Sequence, residues 1–312
     1  MESPSNPIDV AIIGGGPAGI SAALWCSDLG LKAVLLEQET EFGGQLLRTH
    51  NAIENYLGIE APDGRHLRDI FLKHAAGAKY ARVLSAKVES ADLTKKILRL
   101  PDGKEVSARA LIIATGVRRR KLEIPGENDF IGRGVLDSGV GERDRIRGKR
   151  VVIIGGGDAA LENSLLLSEY ADKVYVLHRR KHFSARTTFL ERARNSAKID
   201  LITPVTVRSI DGDSDVSGVS IRNESSGESS LLRADAVLIR IGVQPNTEIF
   251  REQIELDENG YVLTDNACAT SLAGVFAVGD VANPTAPTIS GAIGDGATAA
   301  KGIVDLLEEP SR

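Results

Sequence analysis

The sequence predicts an α/β chain built on two parallel-sheet units. Two copies of one pattern carry this reading: DVAIIGGGPAGISAALWCSDLGLKAVLLEQ at 9–38 and RVVIIGGGDAALENSLLLSEYADKVYVLHRR at 150–180. Each copy runs from an apolar, β-branched stretch through a glycine-rich turn and a helix-period stretch to a second apolar run. That order is a βαβ unit, whose strands lie parallel. The length of 312 residues also suits two domains.

The first turn follows its strand directly and reads Gly14-x-Gly16-x-x-Gly19, with Pro17 and Ala18 opening the helix. In such a turn the first glycine allows the tight bend, the second lets backbone approach a pyrophosphate, and the third lets helix and strand pack closely. The helix N-terminus then offers free N–H groups and partial positive charge to phosphate. Glu37 closes the second strand 23 positions after Gly14, with Gln38 next to it. A carboxylate there accepts hydrogen bonds from ribose hydroxyls.

The second turn holds Gly155 and Gly157, then Asp158 and Ala159, with Ala160 in the third slot. Counting 23 positions from Gly155 reaches His178, followed by Arg179 and Arg180. An acid at that point favours a free ribose hydroxyl, whereas two guanidiniums favour a 2′-phosphate. The fold class is therefore α/β with two Rossmann-like dinucleotide-binding domains, the first for a nucleotide with a free ribose hydroxyl. The second is expected to take NADPH, with NADH as the alternative.

Composition excludes several other functions. Charged residues are 26% and hydrophobic residues 42%, ordinary values for a chain that buries a core. Aromatics are 4% and the net charge is −5, so neither a base-stacking surface nor bulk binding of nucleic acid is expected. The opening MESPSNPIDV lacks a basic region followed by an apolar core, and no uncharged apolar run is long enough to span a bilayer. A cytoplasmic protein without membrane contact is the expectation. The two cysteines, Cys26 and Cys268, stand 242 positions apart and form neither a disulfide framework nor a metal-ligand set. Cys26 reads as a buried helix thiol, and Cys268 has no activating neighbour in sequence.

Taken in order over residues 8–305, the motifs resemble those of the low-molecular-weight thioredoxin reductase family of FAD- and NADPH-dependent flavoproteins. GGGPAG at 14–19 and Glu37 match its FAD phosphate and ribose elements. FGGQL, carrying Gly44, Gln45 and Leu46, and ENYLG, carrying Asn55, match its flavin-side loops. ALIIATG, ending Ala114-Thr115-Gly116, matches the strand leaving the FAD domain. GGGDAALEN and HRR match its NADPH elements, and IGVQPNTEIF its return to the FAD domain. AGVFAVGD ends in Gly279 and Asp280, the latter assigned to the ribityl chain. GDGATAAKGI matches the last FAD helix, with Thr288 and Ile289 just before it in the flavin slots. The resemblance implies a discontinuous FAD domain, 1–117 with 243–312, and an NAD(P)H domain, 118–242, inserted into it. It also implies a homodimer, hinge glycines near Gly116 and Gly242, and no metal or acid–base catalytic residue, since hydride passes directly from nicotinamide to flavin.

Three departures qualify it. Ser138-Gly139-Val140-Gly141 occupies the slots of the family's redox Cys-x-x-Cys pair, so no dithiol exchange is available there. Pro287 and Thr288 replace a usual Arg-Gln. FSA at 183–185 replaces FRA, which removes one phosphate-binding arginine and leaves Arg186 close by. Flavin reductases that serve ferredoxin also lack the pair but usually continue with an aromatic tail, and this chain stops at LLEEPSR, which implies an open flavin face. The acceptor then meets the flavin directly, as a small molecule or a small redox protein. Residues 118–150 carry ten Lys/Arg against six acids, a zone able either to steer an acidic partner such as ferredoxin or flavodoxin or to pair internally. A non-turnover flavin sensor or diflavin module is the reading of another class.

Overall fold

The computed structural model describes residues 8–308. The readings made on the first seven and last four residues, the absent leader and the short tail, lie outside it. The chain forms two compact units, one running up to Arg118 and from Gln244 onward, the other Arg119–Val243.

The first unit is built on a seven-stranded sheet. Ile8–Ile13 lies between Ala33–Leu36 and the carboxyl half of Glu105–Ile113, parallel to both, with Val10 opposite Ala33 and Ala110. Ala81–Val83 extends the sheet on one side, and Val275–Ala277 joins in parallel beside Leu111–Ile113. The amino half of Glu105–Ile113 turns to antiparallel pairing with Ile97–Arg99 and then Ser90–Asp92. Val10 and Ile12 feed one core and Ala11 and Ile13 the other, all buried. This is how the central strand of a doubly covered parallel sheet reads as a continuous apolar run.

Pro17–Asp28 forms the predicted helix, but it is apolar nearly all round rather than along one stripe. The final helix, Ile289–Glu308, covers its second side. A Cβ at Gly296 would stand 2.4 Å from the Ala18 carbonyl oxygen, and Ser21 Oγ donates to Ile293 O at 2.7 Å. Trp25, at the rim, lies under the Lys301 ammonium, 4.8 Å from its ring centre.

The second unit repeats the plan with a five-stranded parallel sheet. Its order is Ile199–Ile202, Lys173–Leu177, Arg150–Ile154, Ala236–Ile239 and Val135–Leu136. Asp158–Ser168 is the helix after the glycine turn. A three-stranded antiparallel sheet, Val205–Gly212, Val216–Asn223 and Ser229–Arg233, packs on the opposite face through Val207, Val219 and Ile221. Among the described residues no helix is long and apolar enough to cross a membrane, and no cluster of His, Cys, Asp or Glu suits a metal.

Candidate nucleotide-binding sites

In the first unit the glycine turn is locked by backbone at two positions and by side chains at a third. Gly14 has φ +108°, and a Cβ there would lie 2.3 Å from Ala114 O. A Cβ on Gly19 would lie 1.9 Å from Gly14 O, and one on Gly15 would strike the Phe42 ring and Glu37 Oε2. Gly16 differs. Its φ of −76° suits any residue, and a Cβ there would meet nothing nearer than Gly44 Cα at 3.8 Å. Folding does not demand glycine at 16, but a phosphate approaching the backbone does. The cradle thus leaves its backbone open at Gly16.

Glu37 is buried, its carboxylate accepting from Gly15 N at 2.7 Å and Glu39 N at 2.9 Å. Each oxygen keeps a lone pair for a hydroxyl donor. Gly44 packs against Gly16, Leu46 is buried, and Gln45 donates to Val117 O at 2.6 Å. Thr115 and Asn246 exchange side-chain to backbone hydrogen bonds of 2.8 and 2.7 Å, and Gly116 O accepts from Asn246 N. Gly279, with φ +72°, brings its turn against Ala18 and Ala292. So residues 14–19, 37, 44, 114 and 279 are brought together, with Asp280 in the turn that follows. Gln38 and Asn55 are exposed, and Thr288 accepts from Gly291 N as the cap of the final helix while Ile289 packs toward Leu46.

Asp295 escaped sequence reading. It lies within the final helix and accepts from Gly279 N at 3.1 Å, which puts a second carboxylate beside Asp280. Burial, then Asp295, pushes the Asp280 pKa up, and burial raises Asp295 against the Gly279 hydrogen bond. The folded protein therefore binds more protons than the unfolded chain as pH climbs through the carboxylate range, and stability falls over that climb. Asp295→Asn keeps an acceptor for Gly279 while removing the charge. Its flavin-free form is expected to melt roughly 2–4 °C above wild type near pH 8, the equivalent of about 1 kcal/mol. The gain should vanish near pH 4, as thermal melts at both pH values would show.

The second cradle repeats the first with different chemistry. A Cβ on Gly155 would lie 2.1 Å from Arg240 O, and Gly157, in extended backbone, is open apart from Ser184 Oγ at 3.8 Å. The His178 ring covers Gly156 as Glu37 covers Gly15, and it stacks on Phe183 with centroids 5.2 Å apart. Burial first, with smaller contributions from Arg180 and Arg179, lowers its pKa against a hydrogen bond to the His182 backbone, and its Nε2 is buried without a partner. Arg179 and Arg180 are exposed and make no ion pair among the described residues. Ser184 donates to Gly156 O, and Arg186 is taken by Asp158 through bonds of 2.7 Å from both N and Nε. Ala159 opens the helix with Asp158 but is exposed.

The 138–141 segment is closed on itself. Gly141 N donates to Ser138 Oγ at 3.1 Å, and Asp137 N and Ser138 N both donate to Glu142 Oε2. Ser138 is only 8% exposed. Five of the ten cations in the basic zone around it are in ion pairs: Arg118 with Glu248, Arg119 with Asp137, Arg145 with Glu142, Arg147 with Asp144 and Arg150 with Asp235. Arg143 lies over the Tyr170 ring. Cys26 and Cys268 are both buried, and burial pushes each thiol up to about 12.

An α/β protein with two such cradles, one backed by a carboxylate and one flanked by arginines, is a two-nucleotide oxidoreductase. The family model described as pyridine nucleotide-disulphide oxidoreductase matches residues 8–296. The chain is 36% identical over 312 residues to a thioredoxin reductase of Listeria monocytogenes, covering 99% of this chain and 97% of that one. Among solved structures it is similar to thioredoxin reductase from Lactococcus lactis in the FR conformation, at 34% identity and TM-score 0.84. It is also similar to that of T. acidophilum, at 30% and 0.82; each alignment covers 97% of this chain and 100% of the other. The chain belongs to the pyridine nucleotide-disulphide oxidoreductase family, as an FAD-dependent NAD(P)H oxidoreductase of thioredoxin reductase-like type.

Proposed function

We propose that the protein passes reducing equivalents from NADPH, or NADH, to FAD and then directly to a small-molecule acceptor, with no dithiol relay. The observation that carries this is the sulfur-free 138–141 segment, whose one side-chain hydroxyl is spent on Gly141 N. A hydroxyl neither forms a disulfide nor accepts electrons.

In this reading FAD supplies the hydride acceptor and the route onward. The turn and helix start formed by Gly14, Gly16, Pro17, Ala18 and Gly19 hold its pyrophosphate, with the N–H groups of Gly16, Ala18 and Gly19 as donors and Pro17 supplying none, and Glu37 holds its adenosine ribose. Gly44, Gln45, Leu46, Asn55, Ala114, Thr115, Gly116, Thr288 and Ile289 line the flavin side, and Gly279 and Asp280 take the ribityl chain. Gly155, Gly157, Asp158 and Ala159 border the nicotinamide nucleotide, with His178, Arg179 and Arg180 at its adenosine end. The domains at residues 1–117 with 243–312 and at 118–242 are accordingly the FAD and NAD(P)H domains, and a homodimer is the assembly inferred from the relatives. The protein's work is binding, alignment and exclusion of water, because hydride transfer itself needs no acid or base. The internal pairing of the basic zone favours a small acceptor over a docked acidic protein.

The test is anaerobic titration of the purified protein with NADPH, then NADH, following the flavin absorbance. Bleaching by NADPH at near-stoichiometric amounts is expected, followed by recovery of colour with a quinone. A flavin left yellow by both nucleotides would overturn the reading.

A further inference from the structure

A second arginine site lies at the opposite end of the NAD(P)H cradle from Arg179 and Arg180. Arg240 ends the strand Ala236–Ile239 and abuts the glycine turn: its N donates to Ile154 O at 2.7 Å, and its carbonyl is the atom Gly155 packs against. Its guanidinium donates to Ile239 O at 2.8 Å and to Asp137 O at 3.1 Å. Arg119 converges on the same Asp137 carbonyl and pairs with the Asp137 carboxylate at 3.0 Å. Arg240 touches carbonyls only and makes no ion pair among the described residues. Two cations thus share one anchor, with the Asp137 carboxylate between them and the Glu142 charge, itself paired with Arg145, acting on Arg240 from farther along the same loop. Burial and then the Arg119 charge hold the Arg240 pKa down to about 10, so an anion here would relieve the site.

The sheet order says which anion. His178-Arg179-Arg180 follow the strand on one side of Arg150–Ile154, while Arg240 and Asp137 follow the two strands on the other. A dinucleotide crossing the carboxyl ends of these strands turns its adenosine half toward the first group and its nicotinamide half toward the second. The helix beneath it starts on Asp158, whose carboxylate is paired with Arg186, so this pair brings no net positive charge to the phosphates and a further cation has to supply it.

We propose that Arg240, braced by Arg119, binds the phosphate on the nicotinamide side of NAD(P)H. The proposal rests on the nucleotide reading above. It is tested with the intact flavoprotein by calorimetric titration of wild type and Arg240→Gln with NADPH, NADH, ADP-ribose and adenosine 2′,5′-bisphosphate. The substitution is expected to weaken the three pyrophosphate-bearing probes alike, by about 10- to 100-fold, the range for a charge-assisted hydrogen bond. The bisphosphate lacks the pyrophosphate and should keep its affinity within about twofold. Arg240→Lys should recover part of the loss, and Arg119→Gln should show a smaller one of the same pattern. Unchanged ADP-ribose affinity overturns the proposal, and so does a parallel fall for the bisphosphate, which marks a merely structural role. Wild type that binds none of the four probes would instead overturn the nucleotide reading itself.

Discussion

Gly16→Ala is expected to fold as wild type yet lose its flavin, while Gly19→Ala is expected to lose stability first. The two glycines are three positions apart in one turn, and the difference is where an added methyl would go. At 19 it lands 1.9 Å from Gly14 O, backbone against backbone, so the helix Pro17–Asp28 has to lift off the turn. Overpacking of this kind costs about 1–3 kcal/mol. At 16 the methyl meets nothing closer than 3.8 Å and the backbone is in an ordinary extended conformation. Replacing glycine where alanine fits stabilises slightly, by about 0.4–1 kcal/mol, through the unfolded chain. The methyl instead occupies the space through which a phosphate reaches the N–H groups, and a loss of flavin affinity of at least about tenfold follows, corresponding to 1.4 kcal/mol. Flavin-to-protein absorbance after dialysis, together with melts of the flavin-free forms, separates the two effects. A Gly16→Ala protein that keeps full flavin would remove the argument that this cradle is built around a phosphate.

The same contacts explain what sequence reading reached. Gly19 answers to Gly14 and Gly15 to Glu37, all within one βαβ unit, so the spacing encodes the cradle locally. Longer-range partners left weaker traces. Gly14 is fixed equally by Ala114, a hundred positions on, which only the family resemblance placed there. Asp295 looks like any polar residue inside a helix until the chain brings Gly279 against it. Arg240 reads as the end of an apolar strand, and its meeting with Asp137 joins strands 103 positions apart. The charge excess of residues 118–150 was countable, but two of the acids that neutralise it, Asp235 and Glu248, lie outside the segment, so pairing and free charge looked alike. Arg186 stands close to the slot of the missing arginine in sequence, and nothing there couples it to Asp158.

Thioredoxin with NADPH is expected to remain oxidised in the presence of the pure protein, at the rate seen without it, even though NADPH bleaches the flavin. The reason lies in the two thiols the chain has. No cysteine lies at 138–141, and the two it possesses belong to the first unit's core. Exchange requires thiolate. With both thiols pushed up to about 12, the fraction ionised at pH 8 is on the order of one part in ten thousand. Burial further denies them to a protein disulfide. Thiol titration should therefore find no reactive group in the native protein and two after denaturation. The decisive form is Cys26→Ala combined with Cys268→Ala. Without any sulfhydryl, it is expected to keep wild-type rates of flavin bleaching by NADPH and of quinone reduction, with some loss of melting temperature from the vacated core volume. If instead the double variant lost acceptor turnover while still bleaching with NADPH, electrons would be leaving through a cysteine after all. Robust thioredoxin reduction by wild type would show the same by a shorter route. Retained turnover would leave the flavin itself as the point of exit, and the acceptor would then be sought among molecules that reach it without a thiol.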